Sequence, residues 1–370
     1  MRALSNIFQL GLKELRSLQR DPALLALIIY AFTLAIYTSA TALPEAPHRA
    51  SVAVVDEDRS PASARILDGL QMPYFMPPAH IDLATLDRGM DEGRYTFTLN
   101  IPPNFQADLL AGRSPSVQLN VDATQVSQAF TGAGHIQQII TREASAFVQP
   151  QAGETPAVDA VIRIAFNPNL MRAWFGAVNE VINQITLLAI ILTGAALIRE
   201  REHGTIEHLL VMPVTPLEIM LGKVWAMGLV VLVAATFSLQ VVVGGWLQVP
   251  LQGSLALFVA GCALHLFAVT SMGVFLGTVA RSMPQLGLLV ILVLMPLEIL
   301  SGGITPRESM PWLVQQVMLV APTTHFVQLA QAILFRGAGL ETLWPQLLAL
   351  AAIGALFFTA ALSRLRKSLR

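Results

Sequence analysis

The chain has 370 residues, of which 54% are hydrophobic and 13% charged, against about 25% charged in ordinary globular proteins. A mean hydropathy of +0.60 leaves too little polar surface for a soluble body of this size, so the composition places the chain in a membrane. The net charge of −1 comes with no basic arm or aromatic–basic interleaving for nucleic acid, and the single cysteine, Cys262, excludes a disulfide framework within one chain and argues against thiol-based redox or metal chemistry.

Residues 1–20, MRALSNIFQLGLKELRSLQR, place Leu4, Ile7, Phe8, Leu12, Leu15 and Leu18 on one helical stripe with Lys13, Arg16 and Arg20 off it. That pattern predicts an interfacial amphipathic helix, covering 1–21 and lying on the inner leaflet. Six apolar segments follow, near 22–43, 174–198, 217–246, 254–280, 284–300 and 345–363. Each approaches the roughly 20 helical residues, at about 1.5 Å rise each, that a bilayer requires. Asp21-Pro22 reads as an N-cap with proline in the first turn, and Thr215-Pro216-Leu217-Glu218 as a capping box. Ala40-Thr41-Ala42 has the small-x-small spacing of a signal cleavage site. The apolar stretch before it exceeds an h-region of about 7–15 residues, so a retained anchor is the better reading.

Residues 44–173 read as a separate extracytoplasmic domain with nine arginines, no lysine and fourteen acids. SVAVVD (51–56) reads as a strand, followed by a helix near 61–71 and another over 83–93 closed by Gly93. RYTFTLNI (94–101) alternates as a strand, 102–112 reads as a helix begun by proline, 115–122 as a strand, and Thr124 to about Val148 as a long helix. The alternation predicts a small α/β module. His48, His80 and His135 are scattered, and no serine sits in a nucleophile elbow. Residues 301–344 carry a second capping box at Thr305-Pro306-Arg307-Glu308 and two short apolar helices separated by Pro322. Their length suits a re-entrant or interfacial segment at the outer end of the membrane.

Orientation follows from the basic residues. Arg2, Lys13, Arg16, Arg20, Arg199, Arg201, Lys223, Arg281, Arg364, Arg366, Lys367 and Arg370 fall on one side of six spans, and only Arg307 and Arg336 occupy the short connections on the other. The positive-inside rule then puts both termini in the cytoplasm, with 364–370 as a short tail. The expected fold class is an α-helical integral membrane protein with six transmembrane helices, five of them within 174–363, and an α/β extracytoplasmic domain between the first and second spans.

The densest polar stretch, REREHGTIEHLLVMP (199–213), lies between two long apolar runs. It is a solvated topogenic loop or, with Ile206, Leu209 and Leu210 on one face of a short helix after Gly204, a docking element for a soluble protein. Its string Glu200-x-Glu202-x-Gly204-Thr205-x-Glu207-x-Leu209-Leu210, with Pro213 and then Gly222-Lys223, resembles the signature of type-2 ABC transporter permeases, the export class. The order of parts over the whole chain is similar to that family. VVDEDRSP (54–61), FTLNIPPNFQADLLAGRSP (97–115) and SMPQLGLLVILVLMPLEILSGGITPRESMP (282–311) resemble the inner-membrane transport permeases of Gram-negative bacteria.

The resemblance implies that 199–216 couples to a cytoplasmic ABC ATPase through Glu200, Glu202, Gly204, Thr205, Glu207, Leu210 and Pro213. It further implies a second permease half, identical or homologous, and outward transport of a drug-like, lipid or other amphipathic cargo. A periplasmic membrane-fusion adaptor is a further expected partner. No catalytic residue is expected. The only Gly-Lys pair, Gly222-Lys223, is followed by Val224 rather than Ser or Thr, so the chain lacks a P-loop, and ATP and magnesium belong to the partner ATPase.

Glu180, Asn183 and Gln184 in the second span, and Glu298 near the outer end of the fifth, either line a transport path or sit at the outer interface and glue helices together. His203 and His208 are five apart, where a helical metal pair needs four, so no metal is expected. His265 and His325 read as hydrogen-bonded packing residues. Gly273-Val-Phe-Leu-Gly277 signals close helix packing, within the chain or across a dimer. The rival function is a membrane receptor or scaffold with an outer sensing domain, although no inner segment is long enough to be an output domain. An ion-coupled transporter would need paired intramembrane charges and internal repeats, and neither is evident.

Overall fold

The computed structural model describes residues 2–41, 49–122, 126–148, 172–202, 204, 213–305 and 307–368. The chain divides into two compact units, one made of Met1–Thr41 with Phe166–Arg370 and the other of Ala42–Ala165.

Helix α1 (Arg2–Gln19) leads into α2 (Pro22–Thr41), whose start is fixed by Asp21 accepting the Leu24 N–H at 3.1 Å. A π-helical turn at Ala31–Ala35 interrupts α2.

The second unit then follows, as β1 (Val52–Asp56), α3 (Pro61–Asp68), β2 (Ala79–His80), α4 (Leu83–Asp91), β3 (Phe97–Ile101), α5 (Phe105–Leu110), β4 (Gln118–Val121) and α6 (Val126–Val148). Its sheet has the order β2-β1-β3-β4, with β1 parallel to both neighbours and β4 antiparallel to β3. Val52, Val54, Phe97, Leu99 and Ile101 bury the sheet against Ile66 of α3 and Ile136 of α6. Two details differ from the sequence expectation. The two-residue β2 is too short to leave an alternating pattern. The helix expected from Pro102 begins only at Phe105, because Asn104 takes a left-handed φ of 63° and breaks the backbone path.

The helical unit continues with α7 (Arg172–Glu202), α8 (Pro216–Trp246, π-helical from Leu239), α9 (Leu255–Val279), α10 (Met283–Ile299), α11 (Trp312–Val320), α12 (Pro322–Leu334) and α13 (Leu340–Ser368). Among the described residues, five helices, α2, α7, α8, α9 and α13, are long and apolar enough to cross a membrane. The shorter α10 has 17 residues, about 25 Å of rise, yet covers nearly the same depth. Its first amide, on Met283, bonds to Glu202 at one end of α7, and Gly303 just beyond it bonds to Asn179 near the other. The bent pair α11 and α12 turns by 88° at Ala321-Pro322, which agrees with the two short helices expected there.

Consecutive spans alternate in direction, and the bonds at their ends show it. Arg199 pairs with Asp21 at 3.0 Å, Arg201 donates to the Ala280 carbonyl at 2.6 Å, and Leu197, Met220, Val224, Val274, Ala361 and Leu365 form one apolar cluster. The positions that carry most of the basic residues therefore converge at a single end. At the opposite end Ser39, Glu180, Gly303 and Gln331 come together.

Glycines set how closely the spans approach. A Cβ at Gly273 would press into Thr193 and fall 2.7 Å from the Ile190 carbonyl oxygen, and one at Gly277 would lie 3.1 Å from that of Gly194. The small-residue pair of α9 thus serves packing within the chain, against α7. Replacing Gly273 by alanine is expected to lower the thermal midpoint of the detergent-purified protein by several degrees, since overpacking costs about 1–3 kcal/mol. Gly287→Ala, at a site with open space around it, should leave the midpoint unchanged or raise it.

Candidate functional site

Polar side chains of the helical unit gather at its two ends. At the basic end, α1 packs one face on the bundle. It turns Gly11, Glu14 and Leu18 inward and lies along the start of α8, while Leu4 and Phe8 of the predicted stripe stay exposed. A pair of glycines makes this possible. Gly11 faces the Trp225 ring, and a Cβ at Gly222 would come within 2.9 Å of the Leu10 Cβ. The Trp225 indole N–H donates to the Ile7 carbonyl at 3.1 Å and stacks on Phe8, and Asn6 Nδ2 donates to Glu218 Oε1 at 3.3 Å.

This docking assembles a chain of four charges, three of them buried. Lys223 Nζ lies 2.7 Å from Glu14 Oε1 and 2.8 Å from Glu200 Oε2, and Lys13 Nζ lies 2.7 Å from Glu200 Oε1. The Lys223 side chain is only 2% exposed, with Glu14 at 8% and Glu200 at 9%, whereas Lys13 reaches out to solvent. Leaving one member of such a buried set without its partner typically costs about 3–5 kcal/mol. The network joins α1, the last turn of α7 and the second turn of α8.

The expected coupling residues divide accordingly. Glu200 faces inward, into the network. Glu202 is exposed and accepts the Met283 amide at 3.1 Å, capping α10 across the neighbouring connection. Gly204, at φ +67°, receives the chain as it leaves α7, its N–H bonded to the Arg201 carbonyl at 3.2 Å. This is the left-handed helix-ending position that glycine fills without strain. Pro213 is exposed at the far side, two residues before the Thr215 N-cap, whose capping box with Glu218 is closed in both directions. Thr205, Glu207, Leu210 and both histidines of the stretch, His203 and His208, lie outside the described residues.

At the other end, Gln184 Nε2 donates to Glu180 Oε1 at 2.6 Å and Ser39 Oγ to Glu180 Oε2 at 3.4 Å, tying α7 to α2. Glu298 is half-buried near the end of α10. Asn183 is half-buried on α7, and among the described residues its side chain makes no hydrogen bond. Sequence reasoning missed Asn179 and Gln331. Asn179 donates to the Gly303 carbonyl at 2.7 Å and accepts from Gln331 at 3.1 Å, which locks α7, the bend after α10 and α12 together. The spacing of Asn179 and Asn183, one helical turn apart, was the available signal. His265 is fully buried, bonded to Thr186 at 3.0 Å and stacked on Phe326, and His325 bonds to the Leu319 carbonyl at 2.9 Å. Both are packing residues, as the sequence suggested.

A bundle of apolar helices that crosses the membrane several times, with polar side chains gathered at its two ends, defines a multi-pass integral membrane protein. Residues 22–363 match the family described as ABC-2 family transporter protein, and the chain belongs to that family. It is 60% identical to the inner membrane transport permease YhhJ of Escherichia coli, over 100% of this chain and 99% of that protein. It is 28% identical to the probable multidrug ABC transporter permease YbhR of Escherichia coli, over 96% of each chain. To YbhS of the same organism, also a probable multidrug ABC transporter permease, it is 26% identical over 89% of this chain and 88% of that one. These relatives are transport permeases rather than enzymes.

Two consequences can be measured. Asn179→Leu removes two hydrogen bonds between three helical segments and is expected to lower stability by about 1–3 kcal/mol, read as a lower thermal midpoint, while Asn183→Leu should leave the midpoint nearly unchanged. Gly11→Leu collides with the Trp225 ring and should expose α1, so that trypsin cuts after Lys13 and Arg16 sooner than in the wild type.

Proposed function

We propose that this chain is the membrane-spanning half of an ATP-driven exporter, moving an amphipathic cargo outward across the inner membrane. The observation that carries the reading is the joint construction at the basic end. There the stretch between α7 and α8 leaves a glycine cap at Gly204, returns through Pro213 and a closed capping box, and is braced at both roots by the buried charges of Glu200 and Lys223. A segment held so firmly at its roots suits the transmission of force better than a free topogenic loop does. In this reading the basic end is cytoplasmic, the second unit lies outside the membrane in the periplasm, and Thr205, Glu207 and Leu210 meet a separate ABC ATPase.

ATP and magnesium are held by that partner, whose closure tilts the spans and switches a path between two permease halves, a two-state helix interface biased by a bound partner. The second half, identical or homologous, supplies the other wall of the path. The exposed apolar faces of α10 and α11, with Leu288, Leu292, Trp312 and Leu313, are covered by bilayer or by that half. Glu180, Gln184 and Glu298, with Asn183, line the outer part of the path, and a drug-like or lipid cargo leaving it passes to a periplasmic membrane-fusion adaptor.

Purification of the full chain from its native host in mild detergent should bring a P-loop ATPase with it. Thr205→Ala combined with Glu207→Ala should reduce that recovery by at least about tenfold, the scale of removing central interface contacts. Absence of any ATPase, even after crosslinking, would overturn the exporter reading in favour of a receptor. Glu180→Gln with Glu298→Gln should slow export severalfold while leaving ATPase recovery unchanged.

A further inference from the structure

The four-charge network occupies a particular place along the chain. Glu200 lies in the last turn of α7, which ends at Glu202, and Lys223 in the second turn of α8, which begins at Pro216. They stand on the two helices from which the 203–215 connection leaves and to which it returns. Their own pair, at 2.8 Å, closes the base of that connection. The second partner of each comes from α1, where Lys13 holds Glu200 at 2.7 Å and Glu14 holds Lys223 at 2.7 Å. Two consecutive residues of one helix thus grip both roots. Lys223 also reaches the Ala196 carbonyl at 3.4 Å, one turn further along α7.

The charges of the set cancel, and two of the three buried members have partners on more than one helix. A shift of α1 along or away from α8 would leave Lys223 with one carboxylate in place of two. It would equally leave Glu200 without Lys13. The glycine contact between Gly222 and Leu10 and the indole bond from Trp225 to Ile7 allow little sliding without breaking the set.

We infer that Glu14 and Lys223 are positioning residues which make α1 a third support of the 203–215 connection, fixing the separation and angle at which α7 and α8 present it. The consequence for ATPase engagement rests on the function proposed above; the positioning itself does not. On this account α1 is part of the transmission, and its exposed face with Leu4 and Phe8 rests on the membrane while its inner face sets the geometry of the joint.

Amide hydrogen exchange on the full chain in lipid nanodiscs tests this, comparing α1, the last turn of α7 (198–202) and the first turns of α8 (217–223). Glu14→Gln keeps the volume and removes one charge. It should speed exchange by about tenfold in all three places, with unchanged amounts of protein in the membrane. Glu14→Gln combined with Lys223→Met replaces the buried pair by groups of similar size, and should return α1 to within about threefold of the wild type. The last turn of α7 should stay fast in this double variant, since Glu200 has lost its ion pair with Lys223.

Faster exchange confined to α1 in Glu14→Gln, or recovery of α1 and α7 together in the double variant, would show a mere fastening of α1 and overturn the inference. Should Glu14→Gln not be recovered from membranes, Glu14→Asp lengthens the same pair and is judged by the same pattern. Recovery of an ATPase with each variant reads the consequence, and should fall about tenfold with Glu14→Gln. A wild-type chain that brings no ATPase counts against the proposed function, and the exchange pattern then decides the positioning role alone.

Discussion

Everything at the basic end of this molecule depends on one buried ammonium group. Lys223 is nearly sealed from solvent, and a charge in that position persists only where carboxylates replace the water it has lost. Glu14 and Glu200 do so from two different helices. Burying the lysine therefore requires that α1, α7 and α8 meet at one point. The close glycine contacts, the indole bond of Trp225 and the capping box of Thr215 all fit around that meeting. Arg199 with Asp21 and Arg201 with the Ala280 carbonyl extend the joint to α2 and to the turn between α9 and α10. The ends of most spans are thereby fastened to one another on a single side.

The opposite end is built differently. It uses neutral amides and carbonyls, with Asn179 bonded to Gly303 and Gln331, and leaves Glu180 and Glu298 half-buried. Between the ends the contacts are close and, the Thr186–His265 bond apart, largely apolar, with Gly273 and Gly277 set against α7 and Gly261 against Leu329. Such an arrangement is stiff along each helix and firmly jointed at one end. The other end is held by a few neutral or exposed hydrogen bonds. This asymmetry suits a machine driven from one side of the membrane, which is the reading proposed for this member of the ABC-2 transporter family.

Much of the fold was legible because local rules dominate it. Asp21-Pro22 and Thr215-Pro216-Leu217-Glu218 begin helices where side-chain oxygens meet free amides, which needs only neighbouring residues. The strands of the second unit are short alternating runs between turn residues, and β1, β3 and β4 appear within a few residues of their expected limits. The exceptions have local causes of another kind. Asn104 adopts a left-handed conformation that delays α5, and β2 is held by its pairing with β1 rather than by its own pattern. The direction of successive spans was also legible, since basic residues placed them on alternating sides and the paired helix ends agree.

By itself, then, the sequence determined the membrane class, the rough limits of the long apolar helices, the separate sheet-containing unit and the polar stretch at 199–213. These follow from composition, periodicity and caps, which act over a few residues. The tertiary structure alone decided which face of α1 is inward and which charges are buried. Glu14 is 209 positions from Lys223, and a glutamate between Lys13 and Arg16 on an amphipathic helix has the pattern of a surface charge. Asn179 and Gln331, 152 positions apart, were hidden for the same reason. A hydrogen bond or ion pair between distant segments leaves no periodic trace in either one, because it exists only once packing has brought the two together and excluded water from between them.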